Sequence, residues 1–174
     1  MRAGLSLDAA GEAAIASLLQ ELKIDFVQHR VLLDGADVTE AIRTEEVGMA
    51  ASRISALALV RDALVGLQHN FRRLPGLVAD GRDMGTVIFP DARLKVFLTA
   101  GPRQRAQRRF KQLISKGNST TLESLQADLE ARDERDQTRS VSPLKAASDA
   151  KLLDNSDLSV EESIDLVLNW CQAF

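Results

Sequence analysis

Val78-Ala79-Asp80-Gly81-Arg82-Asp83-Met84-Gly85-Thr86-Val87-Ile88-Phe89-Pro90-Asp91-Ala92 is the stretch whose reading decides the fold. It reads as a short buried strand, Leu77 to Asp80, running into a glycine-rich loop that carries charge. Gly81 and Gly85 allow a tight turn and the close approach of a ligand. Arg82 and Asp83 stand between them, where a strand has just ended, and open parallel sheets bind ligands outside the carboxyl ends of their strands. A planar guanidinium there suits phosphate, and a carboxylate beside it suits the donors of a base or sugar.

Downstream, a second strand is expected over Leu94 to Thr99, then a helix from about Arg103 to Ser115, opened by Gly101-Pro102 and broken by Lys116-Gly117-Asn118-Ser119. A second helix is expected from about Leu122 to Gln137. A flexible stretch, Ser140 to Ser148, leads to a strand over Ala150 to Asp154. The last helix opens on Ser159-Val160-Glu161-Glu162, a capping-box pattern, and carries Ile164, Val167, Leu168 and Trp170. Upstream, Ile15, Leu18, Leu19 and Leu22 stripe a helix over Leu7 to Leu22. A small antiparallel hairpin unit follows from Lys23 to Val38, turning at Asp34-Gly35; it is too small to stand without the helices around it. Thr39 or Thr44 caps the next helix, with Glu45 and Glu46 at its positive end, and the helical pattern resumes from Val60 to Phe71. Strands alternating with helices indicate an α/β domain with a parallel sheet.

The 174 residues suffice for one compact domain, and the net charge of -3 argues against a non-specific nucleic-acid binder. Arginines nevertheless cluster at Arg103 to Arg109 and at Arg132 to Arg139, which points to a small anionic ligand. Cys171 is alone, so no disulfide framework or cysteine-rich metal site is expected, and His29 and His69 match no metal spacing. No apolar run follows Met1-Arg2 and no segment approaches a membrane span, so a soluble cytoplasmic protein is expected.

Three groups carry candidate chemistry. Arg132, Asp136 and Arg139, spaced by four and three, fall on one helical face. Asp136 can orient both arginines while both still offer donors to an oxyanion; the plainer reading is an exposed ladder of ion pairs. Arg105, Arg108 and Arg109 sit on a helix just after a strand and can clamp the phosphates of a donor nucleotide, or simply face solvent. Ser52 and Arg61 are polar readers on an apolar helical region, but nine residues place them on opposite faces of a straight helix. They converge only if the helix breaks, and Ala56-Leu57-Ala58-Leu59 holds no proline to break it.

Asp80-Gly81-Arg82-Asp83-Met84-Gly85-Thr86 with Phe89-Pro90-Asp91-Ala92 resembles the signature loop of bacterial cytidylate kinase (CMP kinase). Ile42-Arg43-Thr44-Glu45-Glu46-Val47 before Ala50-Ala51-Ser52 resembles that family's substrate region. Arg132-Asp133-Glu134-Arg135-Asp136 through Arg139, then Pro143-Leu144, resembles its lid helix and following loop. Together these cover nearly the whole chain in order. The resemblance implies an α/β fold of the P-loop nucleoside monophosphate kinase type, a three-layer parallel sheet flanked by helices, with a small antiparallel substrate-binding insert and a helical lid. Residues 1–13 would be the remainder of a core helix, 14–52 the CMP-binding insert, 53–116 and 140–174 core, and 117–139 the lid region. It implies transfer of the terminal phosphate of ATP to CMP or dCMP, with Mg2+, by a monomer with no nucleic-acid or membrane partner. Carried over by resemblance, Ser52, Arg61 and Asp83 read the cytosine, Arg82 and Arg139 hold the acceptor phosphate and serve catalysis, and Arg132 and Asp136 contact the pentose. Arg108, with Arg105 and Arg109, reaches the ATP phosphates.

One departure is large. The family's phosphate-binding loop has the form G-x-x-x-x-G-K-[ST], and no Gly-Lys pair occurs in this sequence. Met1 falls inside a helix that in the family lies downstream of that loop and of the strand after it, so the chain resembles a cytidylate kinase whose first strands are missing. In the family the first strand lies between those read here at Leu77 to Asp80 and Leu94 to Thr99, so both are expected to lack a neighbour. The expectation is little or no kinase turnover by this chain alone, the alternative function being a catalytically inactive fragment that binds a nucleotide or a partner.

Overall fold

The computed structural model describes residues 4–115, 117 and 119–173. It falls into two compact units, Met1–Val78 and Ala79–Phe174. No helix among the described residues is long and apolar enough to cross a membrane. Met1 to Ala3, the Glu45 side chain, and Lys116 and Asn118 of the expected helix break lie outside what is described.

In the first unit, α1 (Glu12–Glu21) packs on α3 (Ala58–Asn70), and a three-stranded antiparallel sheet runs β1 (Ile24–Val27), β2 (Arg30–Leu33), β3 (Ala36–Asp37). Val27 pairs with Arg30 and Leu33 with Ala36, so both connections are two-residue turns. Asp34 (φ 50°) and Gly35 (φ 80°) both take the left-handed region that such a turn needs, which is why Asp-Gly serves there. The sheet leans on the helices through Phe26, whose ring meets that of Phe71 edge-on at 5.2 Å. Ile15, Val38 and Val60 form the buried centre.

The helix after the sheet breaks without proline. Thr44 caps α2 (Glu45–Ile54), accepting from the Val47 N–H, and Leu57 is extended (ψ 123°) before α3 begins. Each new helix end finds a partner. The Ser55 hydroxyl donates to the Ser52 carbonyl at 2.8 Å, and Arg61 Nη1 donates to the Ser55 carbonyl at 2.9 Å. Leu57 offers no capping group, so Glu12 of α1 supplies one: its carboxylate accepts from the Leu59 N–H at 2.8 Å.

The second unit holds the only parallel pairing among the described residues, β4 (Val96–Thr99) beside β5 (Lys151–Asp154), in register from Val96↔Lys151 to Thr99↔Asp154. Buried Leu153 and Ala106 anchor it. The helices are α4 (Pro102–Ser115), α5 (Leu122–Thr138), packed on each other, and α6 (Val160–Cys171). Thr121 caps α5, and α6 opens on the full capping box between Ser159 and Glu162. The mixed α/β architecture follows. The strand expected at Leu77 to Asp80 does not form: no described residue pairs with it in a ladder, and Val78 is fully exposed. A strand exists only as part of a ladder, so apolar sequence alone does not make one. The Ser140 to Ser148 stretch is irregular but tied down, since Leu144 N–H donates to the Asp136 carbonyl at 2.7 Å and Arg139 Nε to the Ser142 carbonyl at 2.7 Å.

Because Glu12 replaces a missing cap, Glu12→Ala should cost about 1 kcal/mol of stability. Urea unfolding reads this directly, and an unmoved midpoint would refute the borrowed cap.

Candidate functional site

Asp136 sits on the last turns of α5 and is 4% exposed. Three guanidinium groups surround its carboxylate. Arg82 Nε lies 3.0 Å from Oδ2, Arg139 Nη1 3.8 Å from Oδ1, and Arg132 Nε 4.0 Å from Oδ2. Arg132 and Arg139 come from the helical stripe that their spacing defines; Arg82 comes from the signature loop, so the two groups meet in one cluster. The Arg139 side chain is itself buried, while those of Arg82 and Arg132 are part-exposed. Asp136 Oδ2 and Arg132 Nε are buried without a hydrogen-bond partner among the described residues. Three guanidinium groups gathered at one carboxylate form a donor set that suits the oxygens of a phosphate.

Next to Arg82, Asp83 is 7% exposed and opens a wide helical turn, Met84–Ile88. The Asp83 carbonyl accepts from the N–H groups of Thr86, Val87 and Ile88, and the Phe89 N–H reaches Met84 O at 2.7 Å. The turn buries Ile88 and Phe89. Neither Gly81 nor Gly85 adopts positive φ, so tight turning is not what they supply. A Cβ on Gly85 would lie 3.3 Å from the stem of Lys95, and one on Gly81 would crowd the flexible Met84 side chain. Lys95 Nζ in turn donates to Pro90 O at 2.6 Å and to the Asp149 carboxylate at 2.8 and 3.0 Å.

The other arginines are engaged elsewhere. Arg105 pairs with Asp133 of α5 and donates to Ala100 O at 3.0 Å, linking α4 to α5 and to the end of β4. Arg108 holds the side chain and carbonyl of Asn155 just past β5. Arg109 reaches Gln112 on its own helix at 3.4 Å. Beyond the strand ends, Ser156 accepts from the Gly101 N–H at 2.8 Å and donates to Asp154 at 2.6 Å. In the first unit, the α2–α3 break joins Ser52 and Arg61 through Ser55, removing the obstacle that a straight helix poses. Asp133 was read only as part of the charged run from Arg132 to Asp136, and Lys95, Asp149 and the Asn155-Ser156 corner escaped the sequence reading. Only Lys95 left a signal there, as a lone charge heading an apolar strand.

A sequence model of the family described as cytidylate kinase matches residues 3–173. A relative from Cupriavidus necator, named cytidylate kinase, is 56% identical over 172 residues, covering 99% of this chain and 77% of the relative. One from Paraburkholderia phymatum, of the same name, is 57% identical over 160 residues, covering 92% and 70%. Another from Burkholderia multivorans, also so named, is 54% identical over 173 residues, covering 98% and 76%. The chain belongs to the cytidylate kinase family.

The Asp136 cluster predicts a large cost for Asp136→Ala, about 3 kcal/mol or more, because three cations lose their shared counter-charge. Denaturant titration tests it; a loss below 1 kcal/mol, roughly that of an exposed pair, contradicts the pivot. Two outlying carboxyls also set an acid limb. Lys95 donating to Asp149, and the hydroxyl and N–H of Ser156 donating to Asp154, hold both below the usual aspartate range. The unfolded chain therefore binds protons first as pH falls, so this stabilisation is complete above about pH 5 and is lost as pH drops through the lowered folded values. Melting temperature should fall over that window, and Asp154→Asn should flatten the fall; an equally steep curve for the variant would contradict the assignment.

Proposed function

We propose that the chain binds a pyrimidine nucleoside monophosphate, CMP or dCMP, as phosphoryl acceptor, with ATP and Mg2+ as the donor pair. The observation that carries this reading is the Arg82–Asp136–Arg139–Arg132 cluster, three guanidinium groups gathered at one buried carboxylate, a donor set that suits phosphate oxygens. The names of the relatives and the signature loop support the choice of cytosine. Arg82 and Arg139 hold the acceptor phosphate, Arg132 and Asp136 contact the pentose, and Asp83 reads the base with Ser52 and Arg61. Arginines suit phosphoryl transfer because they neutralise developing charge without titrating near neutrality. On the donor side, Arg105, Arg108 and Arg109 serve the ATP phosphates. Arg108 then exchanges its Asn155 carbonyl partner for phosphate oxygens, a neutral acceptor for an anionic one. Residues 14–52 act as the acceptor insert and 117–139 as the lid, in a layered nucleoside monophosphate kinase core formed by 53–116 and 140–174; the protein works as a monomer.

A second reading rests on the absence of any Gly-Lys pair from this sequence. On it, the chain as given holds CMP but transfers little phosphate. Titrating the protein with CMP by calorimetry, cytidine alongside, tests the shared premise: CMP should bind and cytidine should bind far more weakly. Arg82→Ala should weaken CMP by about tenfold or more, the loss of one charge-assisted contact. Equal affinity for CMP and cytidine would sink the acceptor site. ADP production with CMP present separates the readings: brisk turnover supports the kinase, and its absence with CMP binding intact supports the binding module.

A further inference from the structure

The turn that presents Arg82 and Asp83 is braced by a side chain outside the cluster. Lys95 stands immediately before β4, and its own carbonyl accepts from the Lys151 N–H at 2.8 Å, so its backbone belongs to the β4–β5 ladder. Its side chain is 9% exposed. The stem crosses Gly85, close enough that a Cβ there would sit 3.3 Å from Cγ and Cδ. The ammonium offers three protons and finds three acceptors: the Pro90 carbonyl and both oxygens of Asp149. Gly85 is the second residue of the wide turn and Pro90 lies two residues past its end, so one side chain meets the turn near its start and holds the chain just beyond it. A buried ammonium is tolerated only when its donors are satisfied, which makes the grip directional rather than a loose apolar contact. Asp149 holds the far side from the segment entering β5, and the ammonium keeps its carboxyl below the usual range.

We propose that Lys95, held by Asp149, is a positioning residue for the acceptor site: it fixes the Met84–Phe89 turn to the β4–β5 sheet and so sets where Arg82 and Asp83 meet the nucleotide. Lys95 itself touches no substrate. A side chain at Gly85 would crowd this stem, which would have to give way by a few tenths of an ångström. The inference rests on the reading that Arg82 and Asp83 bind a pyrimidine monophosphate, and its test has one arm that needs no nucleotide.

Three variants of the full chain serve. Lys95→Met keeps an apolar stem over Gly85 and removes the ammonium. Lys95→Arg keeps the charge. Asp149→Asn weakens the same link at a side chain that is 60% exposed, so it tests the clasp even if Lys95→Met fails to fold. Without ligand, hydrogen exchange should accelerate about tenfold at the amides of Thr86 to Phe89 in Lys95→Met and Asp149→Asn, with those of β4 and α5 unchanged. The CMP dissociation constant should rise about tenfold in the same two variants, well below their melting temperatures, and Lys95→Arg should restore it to within about threefold. Unchanged exchange at Thr86 to Phe89, or uniform acceleration through β4 and α5, would overturn the clasp. Local acceleration with CMP affinity intact would overturn the positioning role. Failure of the unaltered protein to bind CMP would instead refute the acceptor reading, and the exchange arm would still decide the clasp.

Discussion

The carboxylate of Asp136 is the constraint on which the second unit turns. Three guanidinium groups brought within 4.0 Å of one point repel one another unless an anion sits among them. Burial makes that anion matter more, because the attraction is less screened than at a surface. The same residue reaches further through its backbone, where its carbonyl accepts from Leu144. One position on α5 therefore ties the signature loop, the end of its own helix and the segment after it. The gathering of guanidinium groups is a consequence of structure before it is a binding device.

A second theme is the use of charged side chains to close backbone ends. Arg61 closes the last turn of α2, Glu12 opens α3, Arg105 takes the carbonyl that ends β4, and Arg108 takes the one just beyond β5. These contacts separate arginines that look alike in sequence. Those of α4 already hold strong oxygen acceptors, whereas the Asp136 cluster crowds cations around a shared anion. What an arginine holds and how many arginines a stretch contains are different quantities, and only geometry tells them apart.

Much of this was legible in the residues. Asp34-Gly35 announced its turn, Ser159 and Glu162 their capping box, and the four-and-three spacing of Arg132, Asp136 and Arg139 their shared face, because each depends on neighbours in the chain. The misses all depend on partners distant in sequence. The break after Ile54 needs Glu12 from another helix, forty-seven positions from the amide it caps. Leu77 to Asp80 has strand composition but no ladder to join. Gly85 was read as allowing a tight turn and a ligand's approach; it takes no positive φ, and the Lys95 stem packs close against it. The link from Arg82 to Asp136 spans two segments whose approach no local pattern encodes.

The parallel pair β4–β5 carries one more implication. Among the described residues each of its strands has a single neighbour, so one flank of both stays open, and Leu98 and Leu152 are more than half exposed. Neither strand carries a proline, and charge is confined to Lys151 and Asp154 at the ends of β5. Such an edge is a template for further strands. In concentrated solution, sticking between molecules should therefore begin at these eight residues of sheet.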